Sequence, residues 1–503
     1  MNRQSHLTDA VKVIENGPDI EGDRAVEPLP AGSDTTRVHK SLHPRRTSVP
    51  APSPSPLPDA AGTSTDRPPG GTTLALFGGT RAVPPGIPGG TWPIVTADDE
   101  QAVLRVLRSG KLNAATPGEP EIGRLERAWA DATATRHCVA VASGTAALEL
   151  VLRACGIGPD HTVVVPALTM NATAHAVHTV GGTAVFADVD PETYTMDPRS
   201  AASAAGPRTA ALLPVHLHGL PADMPALNQL AARLGVPVVE DAAQAHGAQL
   251  DGRRVGALGT AGCFSLHPHK NLPTCGEGGL VTTGDDALHE QLVRLRNFGE
   301  RTPSGARTYI AHQVASNSRM APLAAAFTLS QLTRFADNAR RREPAIRHFL
   351  DRLAQLPGLR VPVVPPGRTH AWHILRLMPE PDDLGLSPRY RAALRAVLHR
   401  VLRAEGVPVS QYQVVPLPAH PAFRPAELPE STVLAQVAER FPVTVAVVEG
   451  SLCLQRRHLD PAAAPLLQRY ADAFEKTWEH LDVIRRMTRS HPAPDWRQVL
   501  RRD

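Results

Sequence analysis

Lys270 is one of only five lysines in this chain of 503 residues, the others being Lys12, Lys40, Lys111 and Lys476, among 53 lysines and arginines in all. The chain uses arginine wherever a generic positive charge will do. A lysine inside the arginine-only stretch between residues 111 and 476 therefore reads as present for the chemistry of a primary amine, which a guanidinium lacks. It lies in GCFSLHPHKNLPTCGEGG, where an apolar run opens into a loop carrying Ser265, His267, His269 and Lys270. A desolvated amine has a lowered pKa and can form a Schiff base with an aldehyde cofactor. Gly276, Gly278 and Gly279 suit the tight turn that follows. The rival reading, a metal held by His267 and His269, finds no third ligand of suitable spacing nearby, and no metal is expected.

Two further segments carry compatible chemistry. VPVVEDAAQAHGA runs an apolar strand into Glu240 and Asp241. A carboxylate buried at a strand end needs a cationic partner, which a protonated pyridine nitrogen would supply; a helix N-cap aspartate is the alternative. VAVASGTAALELVLRA sets Ser143, Gly144 and Thr145 between a strand and a helix. Free N–H groups at such a helix start form a phosphate site, although a plain small-residue cap also explains the turn. HQVASNSRMAPLAAA adds Asn317 and Arg319 just before a long helix, by residue type only a polar turn.

The elements that must position these residues alternate in type. Helical spacing is read over 98–109 (Val103, Leu104, Leu107), 145–154, 222–234, 286–298 (Leu288, Leu292, Leu295) and 322–342, which opens on Pro322. Short β-branched runs are read as strands at Cys138–Ala142, Thr162–Pro166, Thr183–Val189, Ala210–Val215, Val236–Glu240, Gly262–Leu266 and Gly279–Thr283. Seven strands interleaved with helices predict an α/β fold with a mostly parallel sheet covered on both faces, and such sheets bind ligands at the C-terminal ends of their strands. Beyond residue 342 the reading is a smaller α+β domain, with helices at 343–356, 388–405 and near 462–481 and strand-like runs near 358–364 and 371–378. The expected organisation is a disordered Pro/Ser-rich extension over 1–72, a large domain with its N-terminal arm over 73–342, a small domain over 343–490 and a tail over 491–503.

Composition narrows the class. Eleven of the 49 prolines fall in residues 1–72, where apolar periodicity is absent. A net charge of +4 offers no nucleic-acid surface, and no apolar run is long enough to cross a bilayer. Cys138, Cys155, Cys263, Cys275 and Cys453 are odd in number and scattered, as expected of reduced, mostly buried thiols, and no signal peptide is read at the N-terminus, so the expected location is cytoplasmic.

In order and spacing, these segments resemble the DegT/StrS-type sugar aminotransferases, which are fold type I enzymes using pyridoxal 5'-phosphate (PLP). PPGIPGGTWPIVTADDEQAVLRVLRSGKL, FADVDPETYTMDP, LLPVHLHGLPADM and DAAQAHGA support the resemblance, which is clear over roughly residues 75–345. It implies Lys270 as the Schiff-base lysine and acid/base, Asp241 on the pyridine nitrogen and Gln244 on the phenolic-oxygen side. It also implies Ser265, Gly144 and Thr145 on the phosphate, and Asn317 reaching the phosphate of a neighbouring subunit in a homodimer with shared sites. Met170 stands where the family usually stacks an aromatic ring, and His218 where tyrosine is common, which makes His218 a candidate substrate residue. Ala315-Ser316 and Ala321-Pro322 also depart from the family's usual glycine-aromatic and acidic pairs. The implied reaction moves nitrogen from L-glutamate or L-glutamine to a keto sugar, commonly nucleotide-linked, or to a cyclitol ketone, as in aminosugar and antibiotic biosynthesis. HPAFRPAE and SLCLQRRHLDP resemble cyclitol-acting members, while Arg456 and Arg457 are read as solvent-facing or as contacts to a nucleotide diphosphate. The alternatives are a PLP-dependent sugar dehydratase-like enzyme, whose relatives carry histidine in place of Lys270, or a non-catalytic PLP-binding regulator.

Overall fold

The computed structural model describes residues 73–86, 91–114, 119–301, 309–425 and 427–500. The extension expected over 1–72 and the last three residues of the expected tail lie outside the described residues.

In chain order the first part comprises α1 (Ala97–Ser109), α2 (Glu121–Thr133), β1 (His137–Val141), α3 (Gly144–Ala154), β2 (Thr162–Pro166), α4 (Ala172–Thr179), β3 (Thr183–Ala187), α5 (Pro198–Ala204), β4 (Thr209–Leu212), α6 (Met224–Leu234) and β5 (Val239–Asp241). A small hairpin of β6 (Gln249–Leu250) and β7 (Arg253–Arg254) follows, then β8 (Ala261–Ser265), β9 (Gly279–Thr283), α7 (Asp286–Arg296) and α8 (Pro322–Leu353). Strands β1, β9, β8 and β5 lie side by side, as do β3, β2 and β4. Parallel bridges Leu212–Val238 and Val215–Asp241 join the two groups. The result is the expected seven-stranded sheet, in the order β1-β9-β8-β5-β4-β2-β3. Only β9 runs against the rest, antiparallel to both β1 and β8.

Strand alternation explains why the sheet is covered twice. Val139, Val141, Val163, Val165, Val239 and Cys263 face one apolar core, while their neighbours Cys138, Ala140, Val164, Val238 and Phe264 face a second. Successive side chains point to opposite faces, so continuously apolar strands feed both layers of helices.

All seven strands and the helices expected in this part are present, with two differences. α1 exists, but its buried face is Asp99, Ala102 and Val106, while Leu107 is exposed. Asp99 turns that face inward by accepting hydrogen bonds from Gln331 (3.0 Å) and Arg334 (3.1 Å) of α8. The helices expected over 322–342 and 343–356 are one element, α8, which runs through Pro344. Its first half packs Ala324 and Ala325 into the sheet core, and its second half buries Ile346, Phe349 and Leu353 in a separate cluster. Burial at both ends carries the helix across the missing proline hydrogen bond.

That separate cluster belongs to the C-terminal part: an antiparallel sheet of β10 (Leu359–Arg360), β11 (Ile374–Pro379) and β12 (Leu452–Gln455), with α9 (Arg391–Glu405), α10 (Glu430–Arg440), α11 (Pro442–Gly450), α12 (Ala464–Trp478) and α13 (Leu481–Ser490). β12, α10, α11 and α13 are not among the elements read from sequence. In the segment expected as a tail, Trp496–Val499 forms a helical turn whose Trp496 is buried in the first core. The arm preceding α1 is pinned to this part: Ala75 N–H (2.7 Å) and Ala82 N–H (3.0 Å) donate to Glu405, which also pairs with Lys476 at 3.0 Å. Among the described residues, no single helix is long and apolar enough to cross a membrane.

Candidate active site

The C-terminal ends of β1, β5 and β8 open into a cleft of about 590 Å³, closed on its far side by Trp92, His373, Tyr412 and Arg456. The cleft brings together Gly144, Thr145, Met170, Asp241, Gln244, Ser265 and Lys270, which come from four separate segments of the chain.

Asp241 ends β5 and is buried. Thr173 Oγ1 donates to its Oδ2 at 2.8 Å and Ala243 N–H to its Oδ1 at 3.2 Å. Burial raises its pKa above the ordinary carboxylate value, opposed by those two hydrogen bonds and by Lys270 and His216. Among the described residues no cation forms a close ion pair with it, and Lys270 and His216 act on the desolvated carboxylate only from farther away. Its neighbour Glu240 points to the other face of the sheet. There the Glu240 carboxylate accepts from His216 Nε2 (2.9 Å) and from the N–H groups of Gly256 (2.7 Å), Leu258 (2.7 Å) and Gly259 (2.6 Å). Strand alternation thus separates two adjacent acids into one structural clamp and one cleft carboxylate.

Lys270 follows β8 on a turn closed by its own N–H donating to His267 O at 2.8 Å. Burial lowers its pKa from the usual lysine value, against the opposing pull of Asp241 and Glu277. Trp92 Nε1 donates to the Lys270 carbonyl at 3.1 Å, while Lys270 Nζ donates to no group among the described residues. The amine is therefore uncommitted and partly desolvated, as Schiff-base chemistry requires.

Ser265 closes β8 directly against the start of α3. A Cβ at Gly144 would lie 2.6 Å from Ser265 Cβ, and one at Gly279 2.3 Å from Ser143 O. Only glycine permits this approach. Ser143 caps α3 by accepting from Ala146 N–H at 3.0 Å, so both readings of this turn hold: it is a serine cap, and it leaves the N–H groups of Gly144 and Thr145 without helical acceptors beside a serine hydroxyl. A buried carboxylate without a cation, an amine without an acceptor and a glycine-floored helix start fit the pyridinium, aldehyde and phosphate of PLP.

Gln244 is held by its Oε1, which accepts from His218 N–H at 2.8 Å. Met170 is 49% exposed and stands on the cleft wall just before α4. His218 and Asn317 are not on this wall. His218 lies behind Gln244, in left-handed backbone (φ 60°), with Nε2 accepting from Arg376 Nε at 2.9 Å. Its pKa falls well below the usual value through burial and then through Arg376. Asn317 is exposed between α7 and α8, where its Oδ1 accepts from Arg319 Nε at 2.8 Å.

Trp92, Thr173, His373 and Tyr412 are site residues that sequence reasoning missed. The second threonine of LTMNAT, one helical turn past Met170, was the available signal for Thr173; nothing local marks the other three. Arg456 overturns the solvent-facing reading: it is only 3% exposed, with its guanidinium carbon 3.7 Å from the centroid of the Trp92 ring. Arg457 is exposed on the rim.

Comparison with known proteins gives a concordant result. The profile of the DegT/DnrJ/EryC1/StrS aminotransferase family matches residues 93–457. The chain is 38% identical over 337 residues to dTDP-3-amino-3,4,6-trideoxy-alpha-D-glucose transaminase of Streptomyces venezuelae, covering 67% of this chain and 83% of that one. It is 34% identical over 418 residues to L-glutamine:2-deoxy-scyllo-inosose aminotransferase of Streptomyces kanamyceticus, covering 79% and 96%. Among solved structures, that of S. venezuelae DesV in complex with a ketimine intermediate aligns with a TM-score of 0.66 at 36% identity, covering 76% of this chain and 95% of that one.

Proposed function

The chain belongs to the DegT/DnrJ/EryC1/StrS aminotransferase family, and from that premise we propose that it is a PLP-dependent aminotransferase that turns the ketone of a keto sugar or cyclitol into an amine, with L-glutamate or L-glutamine as nitrogen donor. The donor leaves as the corresponding α-keto acid, so atoms and electrons balance without an external oxidant. The observation that carries this reading is the uncommitted amine of Lys270 facing the same cleft as the unpaired, buried carboxylate of Asp241.

When bound, PLP supplies an aldehyde for the Schiff base and a ring that accepts electrons. The protein's residues do the rest. Asp241, whose carboxylate accepts from Thr173 and Ala243, would pair with the ring nitrogen and favour its protonated form. Ser265 and the N–H groups of Gly144 and Thr145 would hold the phosphate, and Met170 would offer the ring a polarisable thioether. Gln244, fixed by His218, presents its amide on the phenolic-oxygen side. Lys270 Nζ takes the proton from the donor's α-carbon and later delivers one to the carbon that receives nitrogen. Asn317, exposed on its own chain, serves the phosphate of a second subunit in a homodimer.

Lys270→Ala should remove both the visible absorbance of the PLP-loaded protein and all transamination; normal turnover would overturn the assignment. The long alignment with the inosose aminotransferase supports a cyclitol ketone, and the transaminase acting on a dTDP-linked sugar supports a nucleotide-linked one. Thermal shift with dTDP and UDP separates them, because strong stabilisation by either nucleotide requires a nucleotide site.

A further inference from the structure

Arg456 is the one cationic side chain of the cleft wall whose burial nothing in the preceding assignment explains. The residue is 3% exposed, and its buried Nε and Nη1 have no hydrogen-bond partner among the described residues. Its counter-charge is Asp460 at 4.0 Å, too far for a hydrogen bond. Asp460 spends its other oxygen on the Ala462 N–H at 3.0 Å. Burial draws the Arg456 pKa well below the usual arginine value, with a second cation, Arg342, adding to the effect. A desolvated guanidinium without charge-assisted hydrogen bonds is costly, and a carboxylate is the planar anion that matches its donors.

Its position selects which carboxylate. The face of Trp92 covers the guanidinium at 3.7 Å, and the same indole donates through Nε1 to the Lys270 carbonyl at 3.1 Å. One aromatic ring thus ties Arg456 to the lysine loop and fixes the plane of its guanidinium. In an α-amino acid the carboxylate is two bonds from the nitrogen that must reach the reacting centre. In a nucleotide-linked sugar the diphosphate is attached through the ring, away from the reacting ketone. We propose that Arg456, stacked on Trp92, anchors the α-carboxylate of the amino donor. This rests on the aminotransferase reading above.

The experiment is a single-turnover half-reaction of the PLP-loaded enzyme, followed by absorbance, with L-glutamine and with 4-aminobutanamide, the same molecule without its carboxylate. In Arg456→Ala the half-saturating L-glutamine concentration should rise about 10- to 100-fold, the usual loss for a charge-assisted hydrogen bond. The rate with 4-aminobutanamide should change little, the resting spectrum should be that of wild type, and Arg456→Lys should fall between. Equal losses with both donors, or unchanged glutamine saturation, would overturn the proposal. So would a variant that binds donor normally but loses stabilisation by dTDP or UDP, since that outcome gives Arg456 to a diphosphate. Should Arg456→Ala not fold, Arg456→Lys carries the same comparison. Failure of the wild type to react with any amino acid overturns the aminotransferase reading itself, and this one with it.

Discussion

Gly144→Ala is a one-carbon perturbation whose consequence follows from the packing of α3 on β8. The backbone of Gly144 is not left-handed, so alanine brings no conformational strain of its own. Its Cβ, however, would sit 2.6 Å from Ser265 Cβ and 3.0 Å from Ser265 Cα, so either the first turn of α3 or the end of β8 must move. Overpacking of this kind costs about 1–3 kcal/mol. In the cofactor-free protein the turn can relax by lifting off Ser265. On the proposed assignment, binding requires the N–H groups of Gly144 and Thr145 and the Ser265 hydroxyl to converge again, so most of the strain returns on the bound state. Charged wholly to binding, it weakens PLP affinity by about 5- to 150-fold, at about 1.4 kcal/mol per tenfold. The assay is an absorbance titration of cofactor-free wild type and variant with PLP. Gly158→Ala is the control, because a Cβ there meets nothing within 4 Å, and it should leave affinity unchanged. Unaltered affinity in Gly144→Ala would refute the idea that this glycine exists to let helix and serine meet.

Two further outcomes follow from the carboxylates of β5. Burial raises the Asp241 pKa; such a group favours the folded state below its unfolded value, and that contribution is lost as pH rises through the folded one. Cofactor-free Asp241→Asn should therefore lose less stability than wild type on going from acid to neutral pH, read as the urea midpoint at each pH, while binding PLP more weakly; parallel pH profiles would count against an uncompensated charge. Glu240→Gln places an NH2 group against two of the four donors that clamp this carboxylate. It should cost about 1–3 kcal/mol of stability in urea unfolding, with the PLP absorbance band retained; loss of the band at unchanged stability would mean that Glu240 belongs to the cleft rather than to the fold.

What could be read from sequence was what each segment encodes by itself. Seven strands were legible because runs such as TVVVP (Thr162–Pro166), β-branched at four of five positions and buried throughout, are bounded by turns. That Asp241, Ser265 and Lys270 share one cleft was legible because Asp241 and Ser265 end such runs and Lys270 lies on the loop beyond Ser265, and parallel strands deliver their C-terminal ends to one edge. The break expected between residues 342 and 343 does not occur, because the continuity of α8 through Pro344 comes from burial of its two halves in two separate cores. The buried face of α1 failed for a related reason: Asp99 faces inward only because Gln331 and Arg334 receive it.

Arg456 shows most clearly why the remainder of the site was not legible. In SLCLQRRHLDP it is one of two adjacent arginines, and β12 ends at Gln455, so neither periodicity nor composition assigns them different environments. The difference is made by Trp92, near the opposite end of the described chain, which lays its ring over Arg456 and leaves Arg457 at the rim. The same indole donates to the Lys270 carbonyl. The N-terminal arm is therefore part of the cleft's chemistry as well as its cover. Through it, the loop of Lys270 at the edge of the indole and Arg456 over its face are tied to one aromatic ring. The cleft wall thus has two origins: the ends of β1, β5 and β8 carry Gly144, Asp241 and Ser265, while Trp92 and Arg456 come from the arm and the C-terminal part.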